Sequence, residues 1–438
     1  MSGSFSLVPE WEPTQHGPDE VRQTSGFLRI SIGNRLVTQV VDDWARSVRD
    51  TVRVSCYPLA LWFASSWWRL CWEQAPNPER STDWALSHEM HGAGHGFLWP
   101  VMRFESDGER VSIICRASTT GSNEPVRYLT SCRESIPVEA FMEAVTTFIH
   151  TVLARLEIVG IQNTELHTLW REVNAERGER QSTFYRKLEA FLGFDPDDAP
   201  EVVASKLLQL SPEAGEAAIA EIAVACAGRS PSLMLSDIEK SIFSRGVAGD
   251  LSCIPVLTQR GSYQPSNDLP RNRGRAMAQT LRAALDNRMD PIADQRLCDL
   301  FGLRLQDLNS ADAPMDNTPW GLAIRQIEGN HVHLLFRRKH LTGRRFEMAR
   351  WLGDMLAAPL PDRWLPATDA KSARQQMQRA FAAELLAPIE ALQSFLGDEP
   401  SDEERIEESA HYFGVSPLMV KSHLANHGLL SPEAVEIY

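Results

Sequence analysis

The chain lacks any close pair of cysteines. Its seven (Cys56, Cys71, Cys115, Cys132, Cys226, Cys253 and Cys298) are scattered without a CxxC spacing. That argues against a Cys-rich zinc site and against a disulfide framework, and for reduced thiols. A long apolar run is missing too. The most apolar stretch, YPLALWFASSWWRLCW (57–72), is too short to cross a bilayer and carries Arg69. The opening residues have neither a basic start nor an apolar centre, so no signal peptide is expected. Positive charge is in deficit, 44 Lys and Arg against 58 Asp and Glu, for a net charge of −14. This disfavours a general electrostatic grip on nucleic acid and leaves only a local basic face to supply one. The expectation is a soluble, cytoplasmic protein with no membrane contact.

What is present is a globular composition, 43% hydrophobic and 23% charged, in 438 residues, enough for two or three domains. The patterns predict a multidomain α+β chain in three parts: a Trp-rich α+β domain over 1–135, a helical middle region and linker over 136–265, and a mostly helical domain with a small sheet over 266–438. In the first part, some twenty leading residues rich in Pro, Gly and acids read as a loose leader. FLRISIG (27–33) alternates as a half-buried strand does. FLWPVMRFESDGERVSIICRAS (97–118) reads as two strands joined at Asp107-Gly108, a favoured hairpin turn. From Val138 to about Gly160 the apolar period lengthens to that of a helix, and helical patterns continue through 183–193 and 201–227. RGSYQPSNDLPRNRGR (260–275) reads as a linker.

Two clusters invite a functional reading. Trp62, Trp67, Trp68 and Trp72 recur at near-helical spacing; such a stripe usually fills a core, and as exposed rings the four would be binding candidates. His88, Glu89, His91 and His95 lie close together in DWALSHEMHGAGHGFLWP. Metal binding there is disfavoured: the residue four after His88 is Gly92, and Gly92 and Gly94 weaken the helix needed to align His91 with His95. A helix ending in a Gly-rich turn, with the histidines at its polar end, is the plainer expectation.

RRFEMARWLGDML (344–356) is an amphipathic helix whose Arg350 and Asp354 stand four apart on one face. With GRAMAQTLRAAL before it, and RAFAAELLAP (379–388) and DEERIEESAHYFGVSPLMVKSHLANHGLL after it, the stretch from about 268 to 430 resembles the ImmA/IrrE family of zinc metallopeptidases. FAAELLAP is the strongest single match. The family's helix reads Arg-Phe-x-x-Ala-His-Glu-x-Gly-His. Arg345, Phe346, Ala349 and Gly353 keep that pattern, whereas Arg350, Trp351 and Asp354 replace the histidine, glutamate and second histidine. Met377 stands where the resemblance places the third zinc ligand, a glutamate. Arginine has no lone pair to offer a metal, and an indole cannot act as a general base. The resemblance therefore implies an inherited scaffold without its chemistry: no catalytic residues, no metal and no cofactor expected. An Arg350–Asp354 ion pair with Trp351 packed beside it is expected where the metal would have sat.

Active relatives of that family typically cleave a repressor, so the implied role is regulation or sensing in a bacterial stress, mobile-element or phage-defence response, with a protein partner. One alternative is a divergent zinc peptidase built on His88, His91 and His95 or on His331, His333 and His340. Another is a DNA-binding regulator. For that reading, Ser416 N-caps the second helix of a helix-turn-helix-like tail that offers Lys421, Ser422, His423, Asn426 and His427. Glu404, Glu407 and Glu408 crowd its partner helix, so packing within the domain is favoured over nucleic-acid contact. Arg271, Arg273, Arg275 and Arg282 form the densest basic patch, which a solvated linker explains as well as an RNA or DNA contact does.

Overall fold

Alternation in the first thirty residues buries one side chain in two, and this is what turns the expected leader into structure. The computed structural model describes residues 4–42, 46–75, 82–119, 126–229, 246–254, 268–310, 318–326, 330–359, 361–397 and 399–431. Phe5–Trp11 forms an edge strand antiparallel to Ser25–Ile32, with Phe5 and Leu7 buried and Pro9 on the edge, where its missing N–H is tolerated. The leader expectation failed because two apolar residues two apart suffice once a neighbouring strand covers them. The fold is mixed α+β, with several small antiparallel sheets among many helices.

The chain divides into two compact units, Met1–Ala204 and Ser205–Tyr438, rather than at 135 and 265; residue 265 lies outside the described residues. The reason is visible in the Val138–Ile158 helix. Its Phe141, Val145, Phe148, Ile149 and Val152 are buried in the same core as Phe5, Leu28 and Ile30. A cut at 135 would remove one wall of that core. The core also takes in the Cys56–Ser65 and Trp67–Trp72 helices and the sheet of Val101–Ser106, Arg110–Arg116 and Cys132–Pro137. The turn of its hairpin is the expected one: the Asp107 carboxylate accepts the amides of Glu109 and Arg110, and Gly108 takes φ 91°. Within that sheet Cys115 and Cys132 stand directly opposite each other, although all seven cysteines are free thiols.

The second unit is built on a four-stranded antiparallel sheet ordered Val247–Asp250, His331–Leu335, Trp320–Arg325, Trp364–Thr368. Three helices accompany it: Pro270–Ala284, Leu341–Ala357 and Ala373–Leu386. The second half of the expected linker thus lies in the first of these helices; residues 261–267 are outside the described set. The approach of the 270–284 and 373–386 helices depends on Gly274, where any Cβ would overlap the Met377 carbonyl. Gly353 serves the same end between the 341–357 and 373–386 helices, since a Cβ there would lie 2.6 Å from the Phe381 ring. The Glu403–Phe413 and Pro417–Asn426 helices close the unit, joined through Gly414 in the left-handed region.

Candidate functional site

One helix, Ala373–Leu386, carries two polar sites, one near each end. Ser372 caps its start by accepting the Gln375 amide, which brings Arg374, Gln375 and Gln378 against the middle of the Leu341–Ala357 helix. The expected Arg350–Asp354 pair is not formed. Arg374 takes Asp354 instead, Nε donating to both carboxylate oxygens at 2.9 and 3.1 Å and Nη2 to Oδ2 at 2.8 Å, while its Nη1 reaches Asp362 at 3.0 Å. Burial opposes the Arg374 charge, and Asp354 and Asp362 outweigh it, so the guanidinium is held above its ordinary range. The correction has a simple cause: a guanidinium from a facing helix meets a carboxylate as a fork, which a residue four away on the same helix does less well.

Arg350 turns to neutral acceptors. Its Nη2 donates to the Thr368 carbonyl at 2.7 Å, to Gln378 Oε1 at 3.2 Å and to Gln375 Oε1. Its Nε is buried with no partner. Burial, then the like charges of Arg379 and Arg337, push the Arg350 guanidinium down to about 9, with Glu347 and Asp369 opposing them through space. Gln375 and Gln378 are themselves fixed by donating to the Pro366 carbonyl. Trp351 is fully buried against Phe336, ring centroids 5.2 Å apart. Met377 is buried as well. Glu347, one turn earlier, accepts the amides of Arg337 and Arg338 at 3.0 and 3.1 Å. Asp354 is thus held by arginine and one oxygen of Glu347 by backbone amides.

The family-pattern residues next to these have mechanical roles. Buried Arg345 donates to the carbonyls of Gly414 and Ile292 and pairs with Asp294, tying the 341–357 helix to the tail. Gly353 keeps the helix surface small where Phe381 packs, and Ala349, one turn earlier, is fully buried.

At the other end of the helix, Glu384 faces the tail. Its Oε1 accepts from Gln279 Nε2 at 2.9 Å, and its Oε2 lies 3.4 Å from His423 Nε2. His427 follows one turn later, its ring at 4.9 Å and 86° to that of His423. Arg275 approaches both: Nη1 donates to His427 Nδ1 at 3.3 Å, and Nε is 3.9 Å from Glu384 Oε1. Glu384 and His423 are buried and His427 half-buried. Burial, with the charges of His423 and Arg275, keeps the His427 imidazole down at about 4. Among the described residues, Glu384, His423 and His427 are the one group of His, Cys, Asp and Glu whose donor atoms converge, all within 4.8 Å of one another.

The other sequence-level candidates fare differently. His88 is fully buried, not at a polar helix end. It stacks on Trp84 at 4.2 Å and donates from Nδ1 to the Trp84 carbonyl at 2.9 Å. His91 and His95 are exposed and do not converge with it. His331 and His333 do share one side of their strand; His331 is exposed beside Asp250, and His340 is exposed at the start of the 341–357 helix. Trp62, Trp67 and Trp68 are buried in the core of the first unit, and Trp72 is half-buried between Phe191 and Lys187. Trp62, Trp67 and Trp68 are thus packing residues and not exposed rings, while Trp72 stays partly open to solvent. In the tail, Ser416 caps its helix, Lys421 pairs with Glu403 at 2.7 Å, His423 turns inward to Glu384, and Asn426 accepts from Arg271 at 2.7 Å. Arg282, read as linker, is buried and donates to the Leu385 and Arg288 carbonyls.

No protein-family model, curated protein or solved structure matches the chain. No helix among the described residues is long and apolar enough to cross a membrane.

Proposed function

We propose that this chain is a catalytically inactive, ImmA/IrrE-like protein that works by binding and regulation in a bacterial stress, mobile-element or phage-defence response. The observation carrying this reading is the fate of the four substituted positions. Arg350 is held by two glutamines and a carbonyl, Asp354 is clamped by Arg374, and Trp351 and Met377 are packed in the core. A hydrolytic centre needs an exchangeable water next to a Lewis acid and a base, and this network fills that volume with paired or apolar groups. Its members bind the 341–357 helix, the 364–368 strand and the 373–386 helix together, the job a structural metal would otherwise do. The same scaffold would then serve recognition of a partner protein in the cytoplasm.

The test is to incubate the full-length protein, supplied with zinc, cobalt or manganese, with unfolded casein and with repressor-type proteins. No cleavage above background is expected, and Asp354→Asn should lower thermal stability without touching any cleavage rate. Chelator-sensitive cleavage that disappears in Asp354→Asn overturns the reading. The nucleic-acid alternative finds no support in the geometry, since the expected contact residues Lys421, His423 and Asn426 are engaged within the domain.

A further inference from the structure

We infer that Glu384, His423 and His427 form a binding site for a divalent metal of the zinc class, separate from the positions that the family pattern would assign to zinc. Three observations carry it. The first is donor chemistry: two imidazoles and a carboxylate are the ligand types zinc takes in three-residue sites. The second is spacing. The 3.4 Å between Glu384 Oε2 and His423 Nε2 matches the edge of a tetrahedron with bonds of about 2.0–2.1 Å, which is about 3.3–3.4 Å. His423 and His427 stand four apart at the end of the Pro417–Asn426 helix, so one turn presents both rings to the same side. The third is an unfilled valence. His423 Nε2 is buried and has no hydrogen-bond partner, although it is aimed at the carboxylate.

The surroundings suit a ligand set. Gln279 orients Glu384 through Oε1, and the Ile389 amide donates a long hydrogen bond of 3.4 Å to Oε2, whose second lone pair stays available to a metal. Such outer hydrogen bonds are what hold metal ligands in place. One group opposes: Arg275, whose guanidinium supplies positive charge next to Glu384 and His427 in the metal-free form. About a third of its side chain is exposed, so it can swing to solvent when a dication takes its place. Metal binding would staple the tail helix to the 373–386 helix through two elements that already touch there. Arg275 makes the site a competition between a resident cation and an arriving one.

The experiment uses full-length, untagged protein stripped with chelator and then equilibrated with zinc or with cobalt(II). About one zinc per chain is expected by elemental analysis, with cobalt giving the visible absorption of a tetrahedral site. His427→Gln, at the half-buried position, should reduce zinc at least tenfold while the far-UV spectrum stays that of the parent. His423→Ala should do the same. Arg275→Gln should bind more tightly than the parent, an outcome that a merely structural role for these histidines does not produce. No stoichiometric zinc in the parent, or full zinc retention in His427→Gln, overturns the assignment. The outcome is independent of the proposed loss of catalysis: a bound zinc without cleavage leaves both standing, and cleavage that survives His427→Gln sinks only the inactive reading.

Discussion

The two ends of the Ala373–Leu386 helix carry polar clusters of opposite character. At its start, Arg374, Gln375 and Gln378 close a network with Arg350 and Asp354 in which donors and acceptors nearly match. Near its other end, Glu384, His423 and His427 bring three ligand types together, with His423 Nε2 left without a hydrogen-bond partner. Arginine brings only donors and a fixed charge, so a network built on it is finished by carboxylates and carbonyls. Imidazole brings one donor and one acceptor, so two of them beside a carboxylate leave acceptors over. A surplus of donors closes a site; a surplus of lone pairs keeps it open to a cation.

The sharpest way to break the closed cluster is Arg374→Met. It strands Asp354 and Asp362 in the interior and should cost about 3–5 kcal/mol in a urea unfolding experiment, because a buried charge loses its partner. Arg350→Met should cost far less, about 1 kcal/mol, since no carboxylate depends on Arg350 for a hydrogen bond and Gln375 Oε1 still accepts the Thr368 amide. Equal costs for the two would contradict the division of labour described here.

His88 offers a counterpart to His423, a buried imidazole that does have a partner. Burial holds its folded pKa at about 3, below the ordinary 6.5. The unfolded chain therefore binds a proton the folded one refuses, and the stability from neutral His88 is present above pH 6.5 and lost as pH falls from there toward 3. His88→Phe keeps the stack on Trp84 and should flatten that acid limb; unfolding midpoints measured at neutral pH and at pH 4 to 5 would show it. The mildest expected change is Lys421→Ala. Its partner Glu403 is largely exposed, and such pairs contribute about 0.2–1 kcal/mol. Affinity of the parent for duplex DNA that falls steeply with salt and disappears in Lys421→Ala would instead point to nucleic acid.

Local pattern alone was enough for the 97–118 hairpin, where Asp107-Gly108 permits one kind of turn, and for the Val138–Ile158 helix, whose apolar period is unbroken. It was also enough to see that Arg350 and Trp351 cannot serve as metal ligands, because donor chemistry belongs to a residue type. Pairing was decided elsewhere. Arg374 lies twenty residues from Asp354 and Glu384 lies thirty-nine from His423, separations at which no spacing rule operates; helix packing brings each pair together, the first across the close approach at Gly353. His423 and His427 did have a signal in the sequence, a separation of four on a helix, but their third ligand had none. Burial was also a tertiary decision: Phe5 and Leu7 look like a leader until Ser25–Ile32 pairs with them, and Trp62, Trp67 and Trp68 become core once Phe104, Trp170 and Glu176 meet them from distant segments. Sequence by itself determined which groups this protein can and cannot use as metal ligands or bases. Only the tertiary structure decided which of those groups meet, since meeting depends on contacts between segments far apart in the chain.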